Sequence, residues 1–232
     1  MSAFKFSGIV TSVRDLTHNV KEFVFQVSDH APFHFKAGQF IFLDIDRVMR
    51  RPYSVASAPQ DLPKVTLCIK QNENDPSSSY FSGLKVGDTL TFSGPHGSFI
   101  FQESAGEILF VATGTGVSPI RSLLLHLFSR EPSVVSTLYF GIRSEQDFLY
   151  RKEFEDFSKR YPNFHFIPTL SDPSQDWKGL RGRVTNSIER EFDIHRFSHI
   201  YLCGNSGMVQ EAREILKKKN FESHKIHFER FY

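Results

Sequence analysis

Apolar and polar positions along the first hundred residues follow the short period of β-structure. Val20 to Val27 carries Phe23, Phe25 and Val27 on one face, the alternation of a half-buried strand. Gln39–Ile45, Val65–Lys70 and Thr89–Phe92 are further short apolar runs. Turn signals separate them at Lys36-Ala37-Gly38, Ala58-Pro59, Val86-Gly87-Asp88 and Gly94-Pro95-His96-Gly97. Many short strands so spaced predict an antiparallel β-barrel. Gln71–Ser79 reads as a polar loop.

After Glu107 the period lengthens. Ile108–Ala112 is a buried type of strand. Ser118 is the expected cap of a helix with Pro119 in its first turn. Ile120, Leu123, Leu124, Leu127 and Phe128 then form one apolar stripe. Strands at Thr137–Phe140 and Phe164–Thr169 alternate with helices near Arg151–Arg160 and Thr185–Glu191. Strand His199–Leu202 leads into a helix with Met208, Val209, Ala212, Ile215 and Leu216 on one face. Lys217, Lys218 and Lys219 suit the negative end of that helix. Ile226–Phe231 is a last strand. Alternating strands and helices predict an α/β fold on a parallel sheet. The boundary falls around Gln102-Glu103-Ser104-Ala105-Gly106, so the expected domains are 1–101 and 107–232.

Composition narrows the classes. The 232 residues suffice for two domains, and the 25 Phe supply bulky core filling. A net charge of +2 points to neither a nucleic-acid nor a membrane partner. Two cysteines, Cys68 and Cys203, are too few for a disulfide scaffold, a metal knuckle or an iron–sulfur set. Met1 to Phe6 lacks the apolar run of a signal peptide, and no stretch approaches a membrane span. The expectation is a cytoplasmic monomer.

Three short motifs carry the candidate chemistry. Arg51-Pro52-Tyr53-Ser54 offers a guanidinium fork for a phosphate, a flat ring for stacking and a hydroxyl for a ring nitrogen. The plain alternative is a surface charge, an edge-strand proline and a core tyrosine. Thr113-Gly114-Thr115-Gly116-Val117-Ser118-Pro119 follows an apolar strand and opens a helix. Its glycines let backbone approach a pyrophosphate, although Pro119 stands where a dinucleotide fingerprint has its third glycine. Cys203-Gly204-Asn205 closes a strand, where open α/β sheets bind ligands. A lone cysteine there is otherwise a small buried apolar residue.

In this order the motifs resemble the ferredoxin–NADP+ reductase superfamily, from about Phe6 to Tyr232. Phe35-Lys36-Ala37-Gly38-Gln39-Phe40 and Gly94-Pro95-His96-Gly97-Ser98-Phe99 match its further patterns, the second ending the barrel. The resemblance implies FAD held by the barrel and NADH or NADPH by the α/β domain. It places Arg51 and Tyr53 at the pyrophosphate and flavin ring, Pro52 between them, and Ser54 near flavin N5. Cys68, Ile69 and Lys70 would run beside the ribityl chain. Ser78 and Ser79 would open a helix facing the pyrophosphate, although Asp75-Pro76-Ser77 replaces the glycine often found before them. Thr113, Gly114, Thr115, Gly116 and Pro119 would cradle the coenzyme pyrophosphate. Cys203 and Gly204 would lie beside the nicotinamide and Glu229 would support proton or charge balance. Phe231 or Tyr232 would cover the flavin. Arg143 occurs with both coenzymes. Asp172, where NADPH-type relatives often carry Arg, favours NADH, while Arg181 and Arg183 offer charge to a phosphate.

The implied activity is hydride transfer from NAD(P)H to FAD, with electrons passed to a separate acceptor. That acceptor would be a ferredoxin, a flavodoxin, a haem protein or an oxygenase component, as with the reductases of ring-hydroxylating oxygenases. Free flavin used as a substrate is the alternative enzyme reading. A non-catalytic electron-transfer or interaction subunit is the reading from another class.

Overall fold

In a computed structural model, residues 5–28, 32–72, 75–103 and 106–231 are described. Tyr232, one of the two candidate flavin covers, lies outside them, as does part of the expected domain boundary. The chain divides into two compact units: Met1–Phe101 with Arg121–His126, and Gln102–Ile120 with Leu127–Tyr232.

The first unit is built on six strands: β1 (Lys5–Thr17), β2 (Val20–Val27), β3 (Phe40–Asp44), β4 (Arg50–Ser54), β5 (Lys64–Lys70) and β6 (Thr89–His96). All pair antiparallel in the order β4-β3-β6-β1-β2-β5. An isolated antiparallel bridge, Val55 to Leu67, joins the two ends of that order. The sheet therefore closes on itself, which removes its edges. Alternate residues point inward. Phe23, Phe25, Ile41, Leu43, Val65, Leu67, Leu90 and Phe92 fill the interior, with Phe81 against them. Phe81 comes from helix α1 (Pro76–Gly83), which occupies part of the segment read from the sequence as a loop. The reason is local: Asp75 caps the helix and Pro76 sits in its first turn. The expected turn at Gly94–Gly97 is also corrected. β6 runs through His96, which pairs with Phe40.

The second unit has six parallel strands: β7 (Glu107–Thr113), β8 (Ser136–Ile142), β9 (Phe164–Leu170), β10 (Leu180–Arg181), β11 (Phe197–Asn205) and β12 (Ile226–Phe231). Their order is β10-β9-β8-β7-β11-β12. The chain starts in the middle at β7, runs outward through β8, β9 and β10, then returns to β11 beside β7. Helices α2 (Val117–Arg130), α3 (Arg151–Arg160), α4 (Val184–Arg190) and α5 (Ser206–Lys218) connect the strands. Leu109, Val111, Ile200, Leu202, Val209, Ala212 and Leu216 form a core between sheet and helices. The α5 stripe read from the sequence is buried at Met208, Val209, Ala212 and Leu216, with Ile215 packed partly buried. Two boundaries differ from expectation. α2 begins at Val117 with Gly116 at its cap position, so Ser118 lies inside the first turn and does not cap it. β11 continues through Asn205, so Cys203 and Gly204 are strand residues.

Candidate functional site

The parallel sheet reverses its winding between β7 and β11, and the turn leaving β7 packs there against the carboxyl end of β11. This is the crevice where open α/β sheets take ligands. Two glycines make the meeting possible. A Cβ on Gly116 would lie 2.5 Å from the Cys203 carbonyl oxygen and 2.5 Å from Gly204 Cα. Gly204 has φ +145, and a Cβ there would strike Thr113, 2.8 Å from its carbonyl oxygen and closer still to Oγ1. The Asn205 N–H donates to Thr113 Oγ1 at 3.0 Å, tying the strand ends together. Gly114 does something different. Its φ is +52 and a Cβ would meet nothing within 4 Å, so its bare backbone faces open space. Thr115 and Gly116 complete a single 3-10 turn running into α2. Ser118 Oγ is buried there without a hydrogen-bond partner among the described residues, beside Pro119.

Cys203 and Glu229 are brought together although 26 positions apart (229 − 203). They are direct neighbours on β11 and β12 and so project on the same sheet face. Cys203 is fully buried. Burial, with the Glu229 charge adding, pushes its thiol well above the usual range. It therefore stays a neutral thiol, the form that packs and donates weakly without attacking. Phe231 is the neighbour of Asn205, one pleat further on.

At the ends of β8 and β9, the Asp172 N–H donates to the Arg143 carbonyl at 2.7 Å. Their side chains pair at 3.5 Å, both well exposed. Arg181 is committed elsewhere. Its Nη2 donates to the carbonyls of Ser174 (2.9 Å), Gln175 (3.1 Å) and Trp177 (2.9 Å). Glu145 holds the same loop from the other side, accepting from Ser174 Oγ at 2.6 Å and Ser174 N at 3.1 Å. Arg183 pairs with Glu211 at 3.3 Å. None of the three candidate phosphate cations is without a partner.

In the barrel, Arg51 and Tyr53 lie on one face of β4 and Pro52 and Ser54 on the other. Arg51 pairs with Leu43 and Tyr53 with Ile41. The Tyr53 ring is half-buried edge-on to Phe81, centroids 5.2 Å apart. Its hydroxyl lies 3.4 Å from Ser77 Oγ, and burial raises its pKa. The Asp75 carboxylate accepts from Ser77 N and Ser77 Oγ, both at 2.9 Å. Those bonds, with Arg51 nearby, hold it below the usual carboxylate range. So Arg51, Tyr53, Asp75 and Ser77 form one cluster at the start of α1. The sequence marks Asp75 and Ser77 only as replacing a glycine and not as site residues; an Asp directly before a Pro-led helix is the available signal for their part in the cluster. Ser78 and Ser79 sit in the first turn, and Ser78 Oγ accepts the Asn72 N–H at 2.9 Å. On β5, Ile69 enters the core while buried Cys68 and exposed Lys70 take the opposite face.

Family models fit both halves: an oxidoreductase FAD-binding domain over residues 7–101 and an oxidoreductase NAD-binding domain over 110–214. Ferredoxin–NADP reductase B of Sorangium cellulosum is 33% identical over 100% of this chain and 99% of that protein. The chain belongs to the ferredoxin–NADP+ reductase family. The reductase component of phenol 2-monooxygenase from Pseudomonas sp. is 31% identical over 98% of this chain, which spans only 65% of that protein. Among solved structures, the Amycolatopsis cytochrome P450 reductase GcoB superposes with a TM-score of 0.90 at 25% identity, covering 98% of this chain and 70% of that one. A Neisseria gonorrhoeae ferredoxin NADP+ reductase superposes at 0.86 over the whole of both chains, at 20% identity.

The cofactors of this reductase are FAD and NAD(P)H, and its own residues fit them. The bare Gly114 backbone and the unpartnered Ser118 hydroxyl suit a pyrophosphate at the start of α2. The Arg51 cation and the half-open Tyr53 ring suit a flavin nucleotide. The Asp75 carboxylate at the start of α1 is the one group of that cluster that repels phosphate. Among the described residues no helix is long and apolar enough to cross a membrane, and no group of three His, Cys, Asp or Glu side chains is placed to hold a metal.

Proposed function

We propose that this reductase takes a hydride from NADH, in preference to NADPH, and passes electrons singly to a separate acceptor protein. Residues 1–101 serve as its FAD-binding domain and 107–232 as its NAD(P)-binding domain. Bound FAD supplies the conversion of a two-electron donor into one-electron steps. The chain's residues bind and orient. Arg51 holds phosphate charge and Tyr53 lies along the ring system, with Cys68, Ile69 and Lys70 beside the ribityl chain. Ser54 donates a hydrogen bond to the flavin. Gly114, Thr115 and Gly116 admit the coenzyme pyrophosphate, and Cys203 with Gly204 sets the position of the nicotinamide. Glu229 balances charge beside the neutral Cys203 thiol, and Phe231 shields the flavin face. The Cys203–Glu229 pair, set next to the Gly116–Gly204 meeting point, is the observation that carries this reading.

The coenzyme preference rests on Asp172. A 2′-phosphate brings about two negative charges toward that carboxylate, and like charges are a specificity device. Arg181, bonded to three carbonyls, is not free to answer it. The acceptor is a ferredoxin, a flavodoxin or an oxygenase component. The relatives named as phenol monooxygenase and P450 reductases favour a partner of that kind. Comparing kcat/KM for NADH and NADPH in the wild type and in Asp172→Arg tests the preference. NADH should win in the wild type and the variant should move toward NADPH. A wild type that prefers NADPH overturns it.

A further inference from the structure

Two histidines outside this site meet on the same sheet face. His199 lies on β11 and His227 on β12, the sheet edge. His227 is the cross-strand neighbour of Tyr201, and its ring stacks on Tyr201 with centroids 4.6 Å apart. His199 precedes Tyr201 by two residues and so shares its face. His199 Nδ1 and His227 Nε2 are 2.9 Å apart. One ring therefore donates its proton to the lone pair of the other. Both rings are only partly buried. Burial lowers both pKa values, that of His227 to about 4, with Lys225 and His224 adding at His199 and the neighbouring His199 and His224 adding at His227. Two neutral imidazoles thus lie nitrogen to nitrogen, and the neutral ring is the form that binds metal.

The spacing suits an ion. Tetrahedral zinc with Zn–N bonds of about 2.0–2.1 Å holds two nitrogens about 3.3 Å apart. The rings need to part by about 0.4 Å and turn their lone pairs to a common point. The shared proton moves to the far nitrogen of its ring, so both rings remain neutral. Nearby positive charge is moderated, because Lys225 is ion-paired with Glu222 and His224 lies 3.6 Å from the same carboxylate. With no third described ligand converging, water completes the coordination. Imidazole donors select zinc, nickel or copper over magnesium and calcium, which prefer oxygen.

We propose that His199 and His227 form a two-histidine site for a divalent transition-metal ion, which staples edge strand β12 to β11. The test uses the FAD-loaded protein, titrated with ZnCl2 or NiCl2 by calorimetry and by thermal unfolding, with MgCl2 for comparison. Saturable binding is expected for zinc and nickel but not magnesium, with a Tm that climbs as the ion concentration rises above Kd. His199→Ala and His227→Phe should each weaken binding at least about tenfold, the phenyl ring preserving the stack on Tyr201. Cys203→Ser should leave it unchanged. Nitrogen NMR of the histidine rings supplies a readout that needs no variant: zinc should shift the His199 and His227 resonances first. No saturable binding up to about 1 mM ion, unchanged affinity in both histidine variants, or first shifts at other histidines would overturn the proposal.

Discussion

Replacing Gly116 with alanine should damage the coenzyme side of this reductase through packing alone. The added Cβ would sit 2.5 Å from the Cys203 carbonyl oxygen and 2.6 Å from its carbon, where ordinary contact begins near 3.4 Å. The turn after β7 and the end of strand β11 must therefore separate by about 0.9 Å, which is 3.4 less 2.5. The atoms struck are backbone, so no side chain can swing aside. Overpacking of this kind costs about 1–3 kcal/mol, and the upper end applies here. At about 2–4 °C per kcal/mol for a chain of this size, Tm should fall by up to about 12 °C. The functional loss should be larger in proportion, since a misplacement of about 1 Å can cost about 100-fold in rate. Gly114→Ala is the contrasting change. It pays about 1–2 kcal/mol for a left-handed alanine but displaces nothing, because its Cβ enters open space. On the proposed coenzyme path that Cβ should raise KM for NADH while kcat holds. Stopped-flow flavin reduction across a range of NADH concentrations, with thermal unfolding, separates the two patterns. A Gly116→Ala protein with wild-type Tm and reduction rate would refute the reasoning.

Arg51→Ala should weaken FAD binding by about 1.5–3 kcal/mol, the worth of a charged hydrogen bond; flavin-release fluorescence reads it, and unchanged affinity removes Arg51 from the phosphate. Cys203→Ala and Ser54→Ala should each slow flavin reduction by NADH more than they raise KM, because they act on alignment; a variant reducing at the wild-type rate takes that residue out of the site. Acid should destabilise the second unit in a defined window. His227 titrates near 6.5 when unfolded and about 4 when folded, so the unfolded chain binds the extra proton as pH falls. Stability must then drop between about pH 6.5 and 4 and level off below. Urea midpoints across that range should fall less in His227→Phe than in the wild type; an equal fall would show that other groups carry the acid sensitivity.

Much of this protein was legible in the order of its residues. The period of two in Phe23-Val24-Phe25-Gln26-Val27 and the longer period in Ile120 to Phe128 mark strand and helix because side-chain direction repeats at those spacings. Arg51 to Ser54, Gly114 to Pro119 and Cys203-Gly204 are local motifs, and they pointed to the family on their own. Local pattern also misled where neighbours outweighed it. Gly94-Pro95-His96 has turn residues, yet pairing with β3 draws it into a strand. Ser118 looks like a cap, yet the 3-10 turn at Gly114–Gly116 runs straight into the helix and starts it earlier. Closure of the barrel through Val55 and Leu67, and the return of β11 to lie beside β7, required the chain to fold. So did the pairings of Cys203 with Glu229 and His199 with His227, and the engagement of Arg181 with three carbonyls. Sequence periodicity determines which way each side chain points from its own element. Only strand order and register decide which side chains from distant segments share a face, and the proposed sites depend on that sharing.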